Sequence, residues 1–227
     1  MRVAVAAAVA LSVCFAARAP AVTLGQVDTF TSGTTQGWSA GAGGAPTPPQ
    51  VVLGGGPGGA GDNYLQITAV GGTGPGSRLV AFNGTQWAGN YLTAGVTGIE
   101  MDLRNLGSMA LTMRLFFEDP TNGPPMNEAL TSFVVDLPVG SGWVHALFPI
   151  APADLIAFYG DVHAVLSDTT QLRLYDSPDP NYPGPTVVGS VGVDNIGAVR
   201  AVPEPAAWAM LLAGLGLLGS RGLRRRG

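Results

Sequence analysis

Two segments in the middle of the chain constrain the fold more than any other feature. Ile99-Glu-Met-Asp-Leu-Arg104 alternates apolar and charged residues without a break, and Leu111-Thr-Met-Arg-Leu-Phe-Phe-Glu118 puts Leu111, Met113, Leu115 and Phe117 on one side. A period of two sends successive side chains to opposite faces of a strand, so each segment reads as a strand with one face in a core. Asn105-Leu-Gly-Ser108 between them fits a short hairpin connection. The same reading predicts strands at Tyr64–Val70, Arg78–Phe82, Leu130–Leu137, Trp143–Ile150, Leu172–Tyr175 and Val191–Val199. Only Pro152–Tyr159 reads as a short helix, with proline near its start. The 34 glycines and 18 prolines supply frequent turns, and Ala40–Gly61, dense in both, reads as a long loop or rim. Eight or nine short strands in one domain predict an all-β fold, an antiparallel β-sandwich of the jelly-roll kind.

Charge narrows the partners of that domain. From Val22 to Ala201 there are fourteen acids and five arginines, a formal charge of −9, and the chain has no lysine. Neutralising phosphates needs clustered cations, so nucleic acid is excluded as a partner. Neutral sugars, divalent cations and an extracellular setting remain compatible. The only cysteine, Cys14, lies in an N-terminal apolar run, so residues 22–201 can form no disulfide.

The two ends read as targeting segments. Met1-Arg2, the apolar Val3–Phe15 and Ala19-Pro-Ala21 have the order of a secretory signal, with a helical apolar run and cleavage after Ala21 in preference to Ala19. At the other end, Val202, Pro203, Glu204 and Pro205 form a stiff extended spacer. Pro203 and Pro205 fix their own φ and push Val202 and Glu204 before them toward extended conformations. Uncharged Ala206–Ser220 follows, about 22 Å long as a helix against a hydrocarbon core of about 30 Å. Arg221, Arg224, Arg225 and Arg226 then form a cationic stop that the positive-inside rule keeps cytoplasmic. The chain therefore divides into a signal peptide at 1–21, a passenger domain at 22–201 and a sorting tail at 202–227.

The spacer Val202-Pro203-Glu204-Pro205, the apolar run and the arginine cluster together resemble the PEP-CTERM sorting signal of Gram-negative bacteria. That resemblance implies an exosortase, a membrane-embedded transpeptidase, as partner. The apolar tail would be a transient transmembrane-like helix in the inner membrane, and the passenger would pass to the outer surface or be released. The string from Gly76 to Trp87, continued by Met101–Gly107, resembles passengers carried by other proteins with this signal.

A second resemblance lies at the ends of the passenger. Asp28-Thr-Phe-Thr-Ser-Gly-Thr-Thr-Gln-Gly-Trp38 and Val191-Gly-Val-Asp-Asn-Ile196 are similar to the first and last strands of carbohydrate-binding-module-like jelly rolls. In such folds the two strands are neighbours and often share a structural calcium, which implies Asp28 and Asp194 as ligands. Alternatively Asp28 caps a turn and Asp194 bonds a neighbouring loop. Asn83-Gly-Thr-Gln-Trp-Ala-Gly-Asn-Tyr91 sets Trp87 and Tyr91 among amides, which suits stacking on a sugar and bonding its hydroxyls. The same rings could instead plug the end of the sandwich. Glu118, Asp119 and Glu128 are the acids nearest to a glycosidase pair, and surface solvation explains them as well. The sequence thus points to a non-enzymatic domain that binds carbohydrate or exopolysaccharide at the surface or in the extracellular matrix. A structural matrix protein without a ligand site is the alternative, and a glycan-active enzyme a distant third.

Overall fold

The computed structural model describes residues 21–41, 44–120 and 126–201. The expected signal peptide with its apolar helix lies outside them, except for Ala21 of the cleavage site. So does the whole sorting tail: the spacer of Val202, Pro203, Glu204 and Pro205, the apolar run, and the cluster of Arg221, Arg224, Arg225 and Arg226. Among the described residues no helix is long and apolar enough to cross a membrane.

Among the described residues twelve strands form two antiparallel sheets of six. The first contains β1 (Val27–Asp28), β2 (Gln50–Val52), β3 (Tyr64–Val70), β5 (Gly98–Asn105), β9 (Val144–Pro149) and β12 (Val188–Val199). Its order is β2-β3-β12-β5-β9, with β1 also on β12. The second contains β4 (Val80–Asn83), β6 (Leu111–Asp119), β7 (Asn127–Thr131), β8 (Val135–Leu137), β10 (Leu155–Tyr159) and β11 (Gln171–Asp176). Its order is β10-β7-β6-β11-β4, with β8 beside β6. The first and last strands are neighbours, Val27 opposite Gly197 and Asp28 opposite Ile196.

The alternation read from the sequence sets the core. Ile99, Met101 and Leu103 meet Leu65, Ile67, Val191 and Val193 on one inner face, and Leu111, Met113, Leu115, Phe117, Leu172 and Leu174 line the other. Burying each of these side chains contributes about 1.5–3 kcal/mol. A slip of one residue would turn the whole set to the wrong face, so the pattern also fixes register.

Four expectations change. The Asn105–Ser108 connection is not a hairpin: β5 belongs to the first sheet and β6 to the second, so the link crosses between sheets. Leu130–Leu137 is two strands: three steps along β6, from Phe116 to Met113, are matched by five on its partners, from Leu130 to Val135. Buried Arg114 fills the break, donating to the Thr131 and Ser132 carbonyls at 2.6 and 3.5 Å. Pro152–Tyr159 is not a helix; Pro152–Asp154 makes one 3-10 turn and Leu-Ile-Ala-Phe-Tyr continues as β10. Aromatic and β-branched residues there gain more by pairing with β7 than by coiling. Ala40–Gly61 is not all loop, because Gln50–Val52 pairs with β3. The two short helices, α1 (Tyr91–Ala94) and α2 (Val162–Ser167), went unseen in the sequence. Their caps, Asn90 and Asp161, accept from Thr93 and Ala164 N–H.

Candidate functional site

The N-terminal motif and the Asn83–Tyr91 motif come together, but inside the protein. Asp28 faces the core, and its Oδ2 accepts from the Nε1 of both Trp38 and Trp87 at 2.7 Å. Gln86 Nε2 donates to both Asp28 oxygens at 3.2 Å and to the Gln36 carbonyl. Asn83 closes the cluster, donating to Gln36 O at 3.0 Å and accepting from Thr85 N–H at 2.9 Å. The Tyr91 hydroxyl donates to Trp87 O at 2.8 Å, its ring stands edge-on to Phe117, and burial pushes its pKa up. Trp87 and Tyr91 are 0 % exposed. The expectation of ligand contact is corrected: these rings plug the end of the sandwich, and their polar atoms are spent internally. Of the two signal-cleavage residues, Ala19 lies outside the described residues. Ala21 is exposed, beside a buried Val22 whose N–H donates to Ala88 O at 2.8 Å.

Asp28 and Asp194 do not share a site. A bulge follows Asp194, with Asn195 at φ +51°, so Ile196 faces the core with Asp28 while Asp194, opposite Asp102, faces outward. An ion held by both carboxylates is therefore corrected as well. Asp194 is nevertheless fully buried, with Asp62 near it, and Trp143 holds the chain before Asp62 by donating to Gly55 O at 3.1 Å. Asp194 Oδ1 accepts the Asn195 N–H at 2.8 Å, and its Oδ2 receives no donor, the carboxyl of Asp62 being the acid beside it. Burial, with Asp62 and Asp102 nearby and the Asn195 N–H opposing, pushes its pKa up to about 7. Asp102 accepts from Asn195 Nδ2 at 2.8 Å and lies 3.0 Å from His145 Nδ1. Among the described residues no group of three or more His, Cys, Asp or Glu is placed to hold a metal ion. The orphaned oxygen of Asp194 suits a hard cation; the saturated carboxylate of Asp28 does not.

The open chemistry lies on the outward face of the second sheet. Register places Val80 and Phe82 of β4, Arg173 and Tyr175 of β11, Phe116 and Glu118 of β6, and Glu128 and Leu130 of β7 side by side there. The chain leaving β11 folds back over this face. Arg114 anchors it by donating to Ser177 O at 2.9 Å and Pro178 O at 3.2 Å. Tyr182 then stacks on Phe116, centroids 4.4 Å apart and planes 23° apart, with Tyr175 edge-on at 5.4 Å. The Arg173 guanidinium lies 5.4 Å from the Phe82 centroid and 5.3 Å from that of Tyr182, a cation–π geometry. Its Nε and Nη2 both donate to Glu118 Oε2. Two adjoining cavities of about 260 Å³ each share Pro75, Gly76, Val80 and Tyr182; Tyr175 lines one, and Phe82, Gln171 and Arg173 line the other. Glu118 and Glu128 are direct cross-strand partners, whereas Asp119 is buried on the opposite side of β6. The two glutamates stand side by side on one face, not on facing walls of a cleft. Nothing in the sequence singled out Tyr182, a lone aromatic in a proline-rich stretch.

Comparison with known proteins agrees with both halves of this description. Residues 201–226 match the PEP-CTERM protein-sorting motif, which marks the chain for export and sorting toward the cell surface. The match takes in Val202, Pro203, Glu204 and Pro205 and all four arginines expected to stop the tail. No curated protein matches the sequence. Among solved structures, an exo-β-agarase is 13% identical over 80% of this chain and 26% of its own, with a TM-score of 0.52. A family 11 carbohydrate-binding module from Clostridium thermocellum, in complex with a β-1,3-1,4-mixed-linked tetrasaccharide, is 14% identical over 80% of this chain and 99% of its own, with a TM-score of 0.49. The CBM22-1 xylan-binding domain of Paenibacillus barcinonensis Xyn10C is 18% identical over 80% and 99%, with a TM-score of 0.45. Likeness at such identity concerns the fold alone. The chain thus carries a PEP-CTERM sorting motif after a two-sheet antiparallel sandwich whose fold is similar to part of an exo-β-agarase.

Proposed function

We propose that the chain is exported, processed by an exosortase-type transpeptidase at its C-terminal motif, and binds extracellular carbohydrate through the outward face of its second sheet. Tyr182 carries the carbohydrate reading. Its ring is held against Phe116, remains half-exposed, and borders a groove with Arg173 and Gln171 in its wall. A half-open ring offers the C–H face of a sugar an apolar platform, and planar amide and guanidinium groups beside it meet hydroxyls. Strands hold most of these groups, so little ordering cost is left for binding. In the tail, Val202, Pro203, Glu204 and Pro205 serve as the recognition motif and Ala206–Ser220 as a transient inner-membrane anchor. Arg221, Arg224, Arg225 and Arg226 are its cytoplasmic stop. A glycan array probed with the full-length chain in mild detergent tests the carbohydrate half. Binding to a defined subset should weaken at least about tenfold in Tyr182→Ala. An array with no bound glycan, or binding indifferent to Tyr182, would overturn the reading.

A calcium ion is proposed in changed form, at Asp194 with Asp62 and without Asp28, on the strength of the orphaned Asp194 oxygen. Calcium at about 1 mM, in the range of extracellular sites, should raise the Tm of the chain but not of Asp194→Asn. An identical Tm with calcium and with EDTA would remove the ion.

A further inference from the structure

Glu128 is the one group of the outward face whose chemistry the neutral-sugar reading leaves unused. It is 8 % exposed, and among the described residues no hydrogen bond reaches its carboxyl. Its direct cross-strand partner is another acid, Glu118, an arrangement that is destabilising by itself. The cation at hand, Arg173, is committed: both of its donors go to a single oxygen of Glu118, and its plane lies against the rings of Phe82 and Tyr182. One guanidinium thus serves two carboxylates, and Glu128 is the one left out. Burial first and Glu118 second push the Glu128 pKa up, with Arg173 opposing. Aromatic rings surround it. Tyr159, 56 % exposed, is its register partner on β10, Phe158 packs edge-on against both Tyr159 and Phe116, and Tyr182 is close enough to feel both glutamates and Arg173 electrostatically.

We infer that Glu128 and the rings around it form a subsite for a protonated amine, so the glycan taken by this face carries free amino groups. The inference rests on the carbohydrate reading and names the substrate class of the same face. A largely buried carboxylate whose nearest cation is committed to another acid is costly, and an ammonium offsets that cost where a hydroxyl only hydrogen-bonds. Tyrosine faces add a cation–π contribution of their own. A passenger with fourteen acids against five arginines attracts a cationic polymer over distance as well.

The test compares three soluble oligosaccharides of equal length and linkage, built from glucosamine, N-acetylglucosamine or glucose. Each is titrated into the full-length chain in mild detergent at about pH 6, below the range of a free amine. The glucosamine oligomer should bind at least about tenfold more tightly than either neutral one, and about 0.5 M salt should erode that margin. Glu128→Gln should abolish the preference. It is nearly isosteric and relieves a like-charge pair, so its Tm should equal or exceed that of the parent, which separates lost recognition from lost folding. Equal binding of all three, a preference for a neutral oligomer, or a preference that survives in Glu128→Gln overturns the amine subsite and leaves the carbohydrate reading standing. Binding of none of them, together with an empty glycan array, sinks both.

Discussion

The end plug and the outward face of the second sheet are built from the same kinds of residue and do opposite things with them. In the plug, two indoles, two glutamines, an asparagine and Asp28 answer one another, and both indole N–H groups converge on one carboxylate oxygen. On the outward face, Tyr182 and Tyr159 keep part of their rings open, and Glu128 has neighbours that fail to neutralise it. Asp194, on the outer side of the first sheet, belongs with the second kind: it is fully buried, yet one oxygen is unanswered. Aromatic and amide residues therefore do not mark a ligand site by type. A site is marked where their hydrogen-bonding and charge capacity is left unmet by the fold.

That contrast can be broken most sharply at the plug. Trp87→Ala should cost about 3–5 kcal/mol, as removal of a fully buried aromatic does, read from urea unfolding of the full-length chain. A small loss of stability with complete loss of glycan binding would invert the roles assigned to the two regions.

Two of the buried aspartates, Asp28 and Asp194, should respond to amidation with opposite signs. Asp28→Asn can turn its NH₂ toward donors or leave an indole N–H unpaired, so a destabilisation of about 1–3 kcal/mol is expected. Asp194→Asn should instead stabilise the metal-free protein at about pH 8, because its carboxylate is desolvated there. The sign follows from linkage. The folded-state pKa of about 7 lies above the ordinary value of 3.8, so between them the folded state holds a proton that the unfolded state has released. Stability is fully present below the unfolded value and falls by about 1.4 kcal/mol per pH unit at most as pH rises toward 7 in EDTA. Urea unfolding at a series of pH values should show this slope in the parent and lose it in Asp194→Asn. A slope unchanged by the substitution would assign the effect to another group.

The smallest stability effect belongs to the outward face. Tyr182→Ala removes a half-exposed ring, so about 1–2 kcal/mol is expected beside the large loss of binding. A loss of about 4 kcal/mol would place Tyr182 with Trp87 as a structural aromatic.

Much of the architecture was legible because it follows from local alternation. Ile99–Arg104 and Leu111–Glu118 each specify one core face, and every apolar residue anticipated there is buried, although Arg114 and Phe116 on the other face of β6 are buried as well. The split near Ser132 was invisible because it depends on Arg114, which buries its charge by reaching carbonyls on β7 and in the segment after β11. Leu155–Tyr159 was misread because a proline start is equally compatible with one 3-10 turn before a strand. At the sites, residue types were legible and directions were not. Trp87 and Tyr91 look outward-capable in sequence, but Asp28, some sixty residues earlier, claims the indole. Phe116 and Tyr175 read as ordinary strand residues until Tyr182 is folded over them.

By itself the sequence determined that this chain is a lysine-free, acidic β-sandwich with a sorting motif at 201–226. Period-two patterning, composition and the Pro203-Glu204-Pro205 spacer before an apolar, arginine-ended tail are local properties and need no partner to be read. Only the tertiary structure decided which aspartate is satisfied, which face carries open aromatics and which glutamate lacks a counter-charge. Those outcomes depend on groups brought together from distant parts of the chain, and on the one-residue bulge after Asp194 that turns neighbouring carboxylates to opposite sides of a sheet.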